Sequence, residues 1–310
     1  MKTITLIIAI PFVFALSALS QNNGKSVSLF NGKDLNSWNL DKTGGFEIAG
    51  SELITRSSGG GNDIFTKKEY TNFVLRLEFM LSKVGNSGVF IRCKPNDPPS
   101  GFEVQLLAPW TPWRDDLHCT GSMYGYVAVT NRPDETTGVW YKMEIKCDRN
   151  LVTISVNDKV VTMANTDTVK KMSDKPFSGV IGLQGNHAEE KEQWAKFRNI
   201  SILDLDADPA YVIKGLSVEN AQLRGLASAA LVRLGANMIR PLAGVMSGDN
   251  PMAKSEAKQA LFDIVAKASD PQATKKDKKA VRATLKKSMK SSSSEITAEY
   301  LKWLAGLLGD

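Results

Sequence analysis

Phe73-Val74-Leu75-Arg76-Leu77-Glu78-Phe79-Met80-Leu81 is the stretch from which the rest of the chain can be read. Phe73, Leu75, Leu77, Phe79 and Leu81 take every second position, with Arg76 and Glu78 between them. Strand side chains alternate faces, whereas a helix would scatter these five residues around its circumference. The stretch is therefore expected to be a strand with one face in a core and one towards water. The alternation returns in Tyr141, Met143 and Ile145 against Lys142, Glu144 and Lys146. The apolar run 151–156 leads into Asn157-Asp158, a hairpin-turn pair, and two more strands are expected over 177–183 and 197–205. Many antiparallel strands with turn residues between them imply an all-β, two-sheet sandwich of the jelly-roll kind.

Outward from the sandwich, both ends differ in composition. Residues 1–20 carry Lys2, an apolar run over 4–16 and Ala18-Leu19-Ser20 before Gln21, the pattern of a signal peptide. An exported protein, periplasmic or secreted, is expected, and no Cys at the cleavage point indicates a lipid anchor. No later apolar stretch is long enough to span a bilayer, so no membrane span is expected. The roughly 290 residues left after cleavage point to two domains, a sandwich over 21–207 and a small all-α domain over 208–310. After Asp208-Pro209, apolar residues fall at helical spacing over 220–234 and 253–268, and further helices are expected over 276–290 and 295–308. The pair 224–235 and 254–268 resembles a HEAT-type repeat, a module that packs against or docks a protein partner. The net charge of +6 is uneven: 254–290 holds ten Lys and one Arg against Glu256, Asp263, Asp270 and Asp277. A solvated helix face is the ordinary meaning of such a run. Cys93, Cys119 and Cys147 have no regular spacing, which leaves open one disulfide with one free thiol or three buried free thiols.

Three neighbouring segments carry polar residues at strand spacing: Asn86-Ser87-Gly88-Val89-Phe90-Ile91-Arg92, Gly101-Phe102-Glu103-Val104-Gln105-Leu106-Leu107, and His118-Cys119-Thr120-Gly121-Ser122-Met123-Tyr124. Alternation puts Asn86, Phe90 and Arg92 on one face, and Glu103, Gln105 and Leu107 on one face of the next strand. That gathering suits a sugar-sized polar groove, although outward faces of antiparallel sheets are often only solvated. Gly-rich phosphate loops, nucleotide fingerprints and a supported Ser-His-Asp motif are absent from the sequence. The expected partner is an oligosaccharide or glycoside, not a nucleic acid.

Seven pieces in order resemble an exported bacterial family, the 3-keto-disaccharide hydrolases or 3-keto-glucoside 1,2-lyases and hydratases. They are Leu29-Phe30-Asn31-Gly32-Lys33-Asp34-Leu35 with Trp38, Phe65-Thr66 with Tyr70-Thr71-Asn72-Phe73, Asn86-Ser87-Gly88, Gly101-Phe102-Glu103-Val104-Gln105, Thr120-Gly121 with Tyr124, Ile181-Gly182-Leu183-Gln184 and Phe197-Arg198-Asn199-Ile200. The resemblance covers about 27–205 and implies a concanavalin-like jelly roll acting on sugars oxidised at C3. The chain departs from the family's pattern at Trp140-Tyr141-Lys142 and in the aromatic loop 109–116, so substrate identity does not transfer.

A C3 ketone acidifies the hydrogen at C2, so its removal gives an enolate that can expel the group on C1, and water then completes a net hydrolysis. This needs a base near C2, a stabiliser for the enolate oxygen and an acid for the leaving oxygen. Glu103 is the expected base, since apolar neighbours raise a carboxyl's pKa. Arg92 is expected to hold the enolate oxygen, and His118, one of two histidines, to act as acid or alternative base. Asn86, Gln105, Tyr124, Gln184 and His187 are expected to bind hydroxyls, with Trp110, Trp113 or Trp140 stacking on a pyranose ring. The structural alternatives are that Glu103 merely pairs with Arg92, that His118 satisfies a loop carbonyl and that the tryptophans are core. The sequence specifies no cofactor and leaves a metal unknown. A divalent metal held by His118 and His187 with Asp115, Asp116 or Glu103 is the one candidate, without any zinc-like spacing. The rival reading is a noncatalytic glycan-binding module with a partner-docking tail.

Overall fold

In the computed structural model, residues 25–40, 45–56, 63–186 and 192–308 are described; the expected signal segment and His187 lie outside them. Thirteen strands are present among these residues: β1 (Val27–Ser28), β2 (Trp38–Leu40), β3 (Phe46–Ala49), β4 (Glu52–Thr55), β5 (Ile64–Thr66), β6 (Phe73–Leu81), β7 (Asn86–Cys93), β8 (Phe102–Leu107), β9 (Tyr141–Asp148), β10 (Leu151–Val156), β11 (Lys159–Asn165), β12 (Val180–Leu183) and β13 (Ala195–Asp204). They form two antiparallel sheets. The larger runs β11-β10-β9-β6-β13-β4-β3 with β1 on β13, and the smaller β2-β5-β12-β7-β8.

The strand read first lies near the middle of the larger sheet. Its five alternating apolar residues are buried, Arg76 is exposed and Glu78 half-buried. Met143, Ile145, Val152, Ile154, Phe197 and Ile202 extend this inner face, and Val89, Ile91, Phe102, Val104, Leu106, Ile181 and Leu183 oppose it from the smaller sheet. Burial of these side chains, each worth about 1.5–3 kcal/mol, holds the sheets face to face. Asn157 and Asp158 both have positive φ, 48° and 63°, the backbone that a tight hairpin demands between β10 and β11.

Past β13 come α1 (Pro209–Lys214), α2 (Ala221–Leu234), α3 (Ile239–Met246), α4 (Pro251–Ser269), α5 (Lys275–Ser291) and α6 (Glu295–Leu307). Side chains of Asn220, Asn250, Thr274 and Ser294 cap α2, α4, α5 and α6. Two helices were not legible in the spacing. Asp208-Pro209, read as a boundary, is also the start of α1: Asp208 accepts from Ala210 N at 3.0 Å and Pro209 takes the first helical position. α3 is only eight residues long, too short for its pattern to separate from the preceding turn. α2 and α3 both pack on α4, and α5 on α6. Tyr211 of α1 meets the sandwich, its hydroxyl 2.7 Å from Asp148 Oδ1 and its ring 4.6 Å beneath the Arg149 guanidinium. Beside it, Asn72 Nδ2 donates to Asp206 Oδ1 at 2.8 Å, and burial pushes the Asp206 carboxyl above its ordinary range. Among the described residues no helix is long and apolar enough to cross a membrane.

Candidate functional site

The outward face of the smaller sheet brings together most of the polar candidates. β7 and β8 set Asn86 opposite Leu107, Gly88 opposite Gln105 and Phe90 opposite Glu103. The segment 120–124, irregular rather than a regular strand, runs along the free edge of β8. Gln105 N donates to Ser122 O at 3.1 Å, Gly121 N to Gln105 O at 2.9 Å and Tyr124 N to Glu103 O at 2.9 Å. Met123 fills the core, so Ser122 and Tyr124 turn outward with Glu103.

The half-buried Glu103 carboxyl leans across Gly88, where a Cβ would stand 2.3 Å from its Oε1. There Oε1 accepts from Gln184 Nε2 at 3.0 Å. Gln184 is held by its own backbone: its N donates to Gly88 O at 2.9 Å and its O accepts from Ser87 Oγ at 2.7 Å. Each residue of the Asn86-Ser87-Gly88 piece thus has a physical task. Ser87 ties the end of β12 to β7, Gly88 vacates the space that Glu103 enters, and Asn86 adds a polar group beside them.

The loop after β8 supplies an aromatic wall. The His118 ring meets Tyr124 edge-on at 4.8 Å between centroids and Trp113 at 6.4 Å. His118 Nδ1 lies 2.7 Å from Asp115 Oδ1, and that hydrogen bond is the main cause that holds the Asp115 carboxyl below its usual range. An ionised acceptor puts the shared proton on Nδ1 and leaves Nε2 as the other ring nitrogen. The loop is braced by Arg114 paired with Glu135, by Thr120 N donating to Glu135 Oε1 at 3.1 Å, and by Arg132 Nε on Asp116 Oδ1 at 2.5 Å. Trp110 and Trp113 stand about half exposed, 53% and 49%, on this loop and not in the core.

Among the described residues, two buried polar atoms of this region have no hydrogen-bond partner, Asn86 Oδ1 and Ser122 Oγ. An unmade bond of that kind costs about 1–3 kcal/mol. The other half of the face is apolar: Phe65 and Phe90 stack at 6.2 Å with Cys93 and Val180 beside them.

Three expectations are corrected. Arg92 does not share the Glu103 face. The β7–β12 register shifts at this point, Arg92 adopts φ +53°, and its fully buried guanidinium donates twice to Thr71 O, at 2.8 and 3.1 Å, beneath the Phe177 ring. A bulge breaks strand alternation, so the residue turns away from its expected neighbours. Trp140 stacks under the Arg198 guanidinium at 4.0 Å, on the outward face of the other sheet. Gln105 keeps the right face but is only 2% exposed, and its Oε1 turns back to accept from Leu106 N at 3.1 Å.

All three cysteines are free and buried, with burial pushing the Cys93 thiol up to about 12 and Cys147 up to about 11. Among the described residues no three His, Cys, Asp or Glu side chains converge on a metal-sized site. Sequence reasoning missed the tasks of Gly88 and Asp115. The first had a signal, a glycine inside the strand-like run Asn86–Cys93, where a close approach of another group is one reason for glycine. Asp63, which accepts from Gly185 N at 2.9 Å at the far end of β12, had none.

Residues 25–203 match the model of the 3-keto-alpha-glucoside-1,2-lyase-like domain. Among solved structures, a candidate glycosyl hydrolase of Parabacteroides distasonis is similar at 26% identity and TM-score 0.51, covering 58% of this chain and 98% of that one. A second from the same organism, at 21% identity and TM-score 0.51, covers 58% of this chain and 94% of its own and shows the shared fold. No curated protein matches the chain.

Proposed function

The chain belongs to the 3-keto-alpha-glucoside-1,2-lyase-like domain family, and from that premise we propose that it is an exported enzyme that cleaves 3-keto-glycosides by elimination followed by hydration. The observation that carries the reading is Glu103, a strand carboxylate seated over Gly88 and aimed by Gln184 at the face where Tyr124, Asn86 and the His118 wall meet. In the proposed reaction Glu103 takes the proton from C2, and the electron pair of that C–H bond moves towards the C3 carbonyl as an enolate. The enolate then reforms the ketone, the pair becomes the C1–C2 double bond, and the C1–oxygen bond breaks. In this step His118 carries a proton on each ring nitrogen: Nδ1–H is held by Asp115, and Nε2–H goes to the departing oxygen, leaving the neutral Nδ1–H ring. Addition of water across C1 and C2 returns the proton to C2 and leaves the free 3-keto sugar. With Arg92 committed to Thr71, the enolate oxygen falls to the outward donors, the Gln184 and Asn86 amides and the Tyr124 hydroxyl. Trp113 and Trp110 would stack on the sugar or its aglycone.

The test is release of the aglycone from a panel of 3-keto-glucosides and their unoxidised parents, with and without added divalent metal. Release from the keto sugars alone, falling at least about a thousandfold in Glu103→Gln and about a hundredfold in His118→Ala, is the expected outcome. Unchanged turnover by Glu103→Gln sinks the assignment. No release from any substrate, with glycans still bound, would make this face a binding module instead.

A further inference from the structure

The helical domain carries an aromatic surface that the sandwich chemistry does not use. Four aromatic residues follow Asp208: Tyr211, Phe262, Tyr300 and Trp303. Tyr211 is spent on the contact with Asp148 and Arg149. The fully buried core of this domain is otherwise built of Leu, Ile, Val, Met and Ala. The other three aromatics stand together between α4 and α6, with Trp303 52% and Phe262 36% exposed. Trp303 is central, its ring 6.1 Å from Phe262 at 16° between planes and 5.5 Å from Tyr300 at 25°. Tyr300 is held in place: its Oη donates to Lys258 O at 3.0 Å, and Lys258 Nζ lies 5.2 Å from its ring centroid.

Phe262, Tyr300 and Trp303 line an open hollow of about 600 Å³, and its remaining walls are polar, Ser255, Lys258 and Gln259. Gln259 Nε2 is turned to Asp263 Oδ1 at 2.9 Å, and the lining itself offers an amide, an ammonium and hydroxyl groups. A groove for an amphipathic partner helix is hydrophobic, whereas half of this lining is polar. A pyranose has an apolar face of C–H groups and a rim of hydroxyls that both donate and accept. Near-parallel rings with a mixed donor and acceptor rim match that pattern.

We propose that the ledge formed by Phe262, Tyr300 and Trp303 is a second carbohydrate-binding site, which holds a pyranose unit of a longer glycan while the sandwich works on glycosides. The choice of ligand class rests on the glycan-acting reading of the sandwich; the site itself rests on the ring geometry. The experiment is native electrophoresis of the full chain without residues 1–20, in gels cast with soluble β-glucan, xylan, galactomannan or amylopectin. At least one polymer should retard the protein. Retardation should weaken about tenfold in apparent affinity in Trp303→Ala and again in Phe262→Ala, the scale of losing one aromatic anchor. Glu103→Gln should be retarded like the wild type, and Trp303→Ala should keep full turnover of small 3-keto-glucosides. Retardation unchanged in both ledge variants, or none in any of the four polymers, overturns the proposal. A sedimenting dimer that Trp303→Ala converts to monomer overturns it in favour of a second copy of the chain. Failure of the catalytic reading shows in Glu103→Gln turnover and leaves these outcomes readable.

Discussion

Both sheets of the sandwich turn polar side chains outward with the same two-residue period, and they do opposite things with them. On the larger sheet the charges answer one another across neighbouring strands: Arg76 on Glu144 at 2.8 Å, Arg198 on Glu78 at 2.7 Å and Lys196 on Glu52 at 2.8 Å. Trp140 lies flat against Arg198 on the same side. This is a ladder in water, where each exposed pair is worth about 0–1 kcal/mol. On the smaller sheet Glu103 is positioned by an amide and flanked by an aromatic loop, while Asn86 Oδ1 and Ser122 Oγ of this region are buried without partners among the described residues. Period-2 polarity therefore marks an outward face and no more. A candidate site is distinguished by cover from the next loop and by a carboxylate seated over a glycine.

The sharpest way to break this contrast is Gly88→Ala. The new methyl would occupy the place of Glu103 Oε1, so the carboxyl must move off Gln184. Turnover of a 3-keto-glucoside should fall at least about a hundredfold, with little change in stability because the displaced group ends a flexible side chain. The matching change on the other sheet, Ser201→Ala, should leave steady-state kinetics unaltered. Wild-type turnover by Gly88→Ala would show that Glu103 does not act from this position.

Next in size is Arg92→Ala, which separates support from chemistry. It removes a wholly buried side chain and both hydrogen bonds to Thr71 O, so denaturant titration should show a loss of about 3 kcal/mol. Turnover per folded molecule should be unchanged. Lost turnover in a variant of normal stability would return Arg92 to the reaction. The smallest effect is expected on the ladder. Arg76→Ala should cost at most about 1 kcal/mol, and the difference should shrink in high salt because the pair is solvent-screened. A larger, salt-independent loss would mean that the outward face of the larger sheet is more than solvated surface.

The sandwich was legible because burial imposes its own period. Phe73, Leu75, Leu77, Phe79 and Leu81 repeat every second residue, as any strand with one buried face must. The helices after Asp208 were legible from their spacing, except α1 and α3, which are shorter than a reliable period. Part of the site was legible by the same arithmetic. Glu103 and Gln105 share the outward face because nothing between Phe102 and Leu107 interrupts alternation. Arg92 was misread because a bulge, visible only in the pairing of β7 with β12, inserts one residue and turns the next side chain over. Trp140 was misplaced because a two-sheet protein has two outward faces, and strand period does not say which one a residue belongs to.

By itself, then, the sequence determined the local periods, the strand-to-helix change at Asp208-Pro209 and the residue types available for chemistry, since these follow from interactions between near neighbours. Only the tertiary structure decided that Glu103 lies over Gly88 within reach of Gln184, that Asp115 holds His118, and that Arg92 and Trp140 stand elsewhere. Glu103 and Gln184 are 81 residues apart, and Arg92 and Thr71 are 21 apart. Contacts of that kind depend on the register between strands and the path of a loop, which no window of neighbouring residues contains.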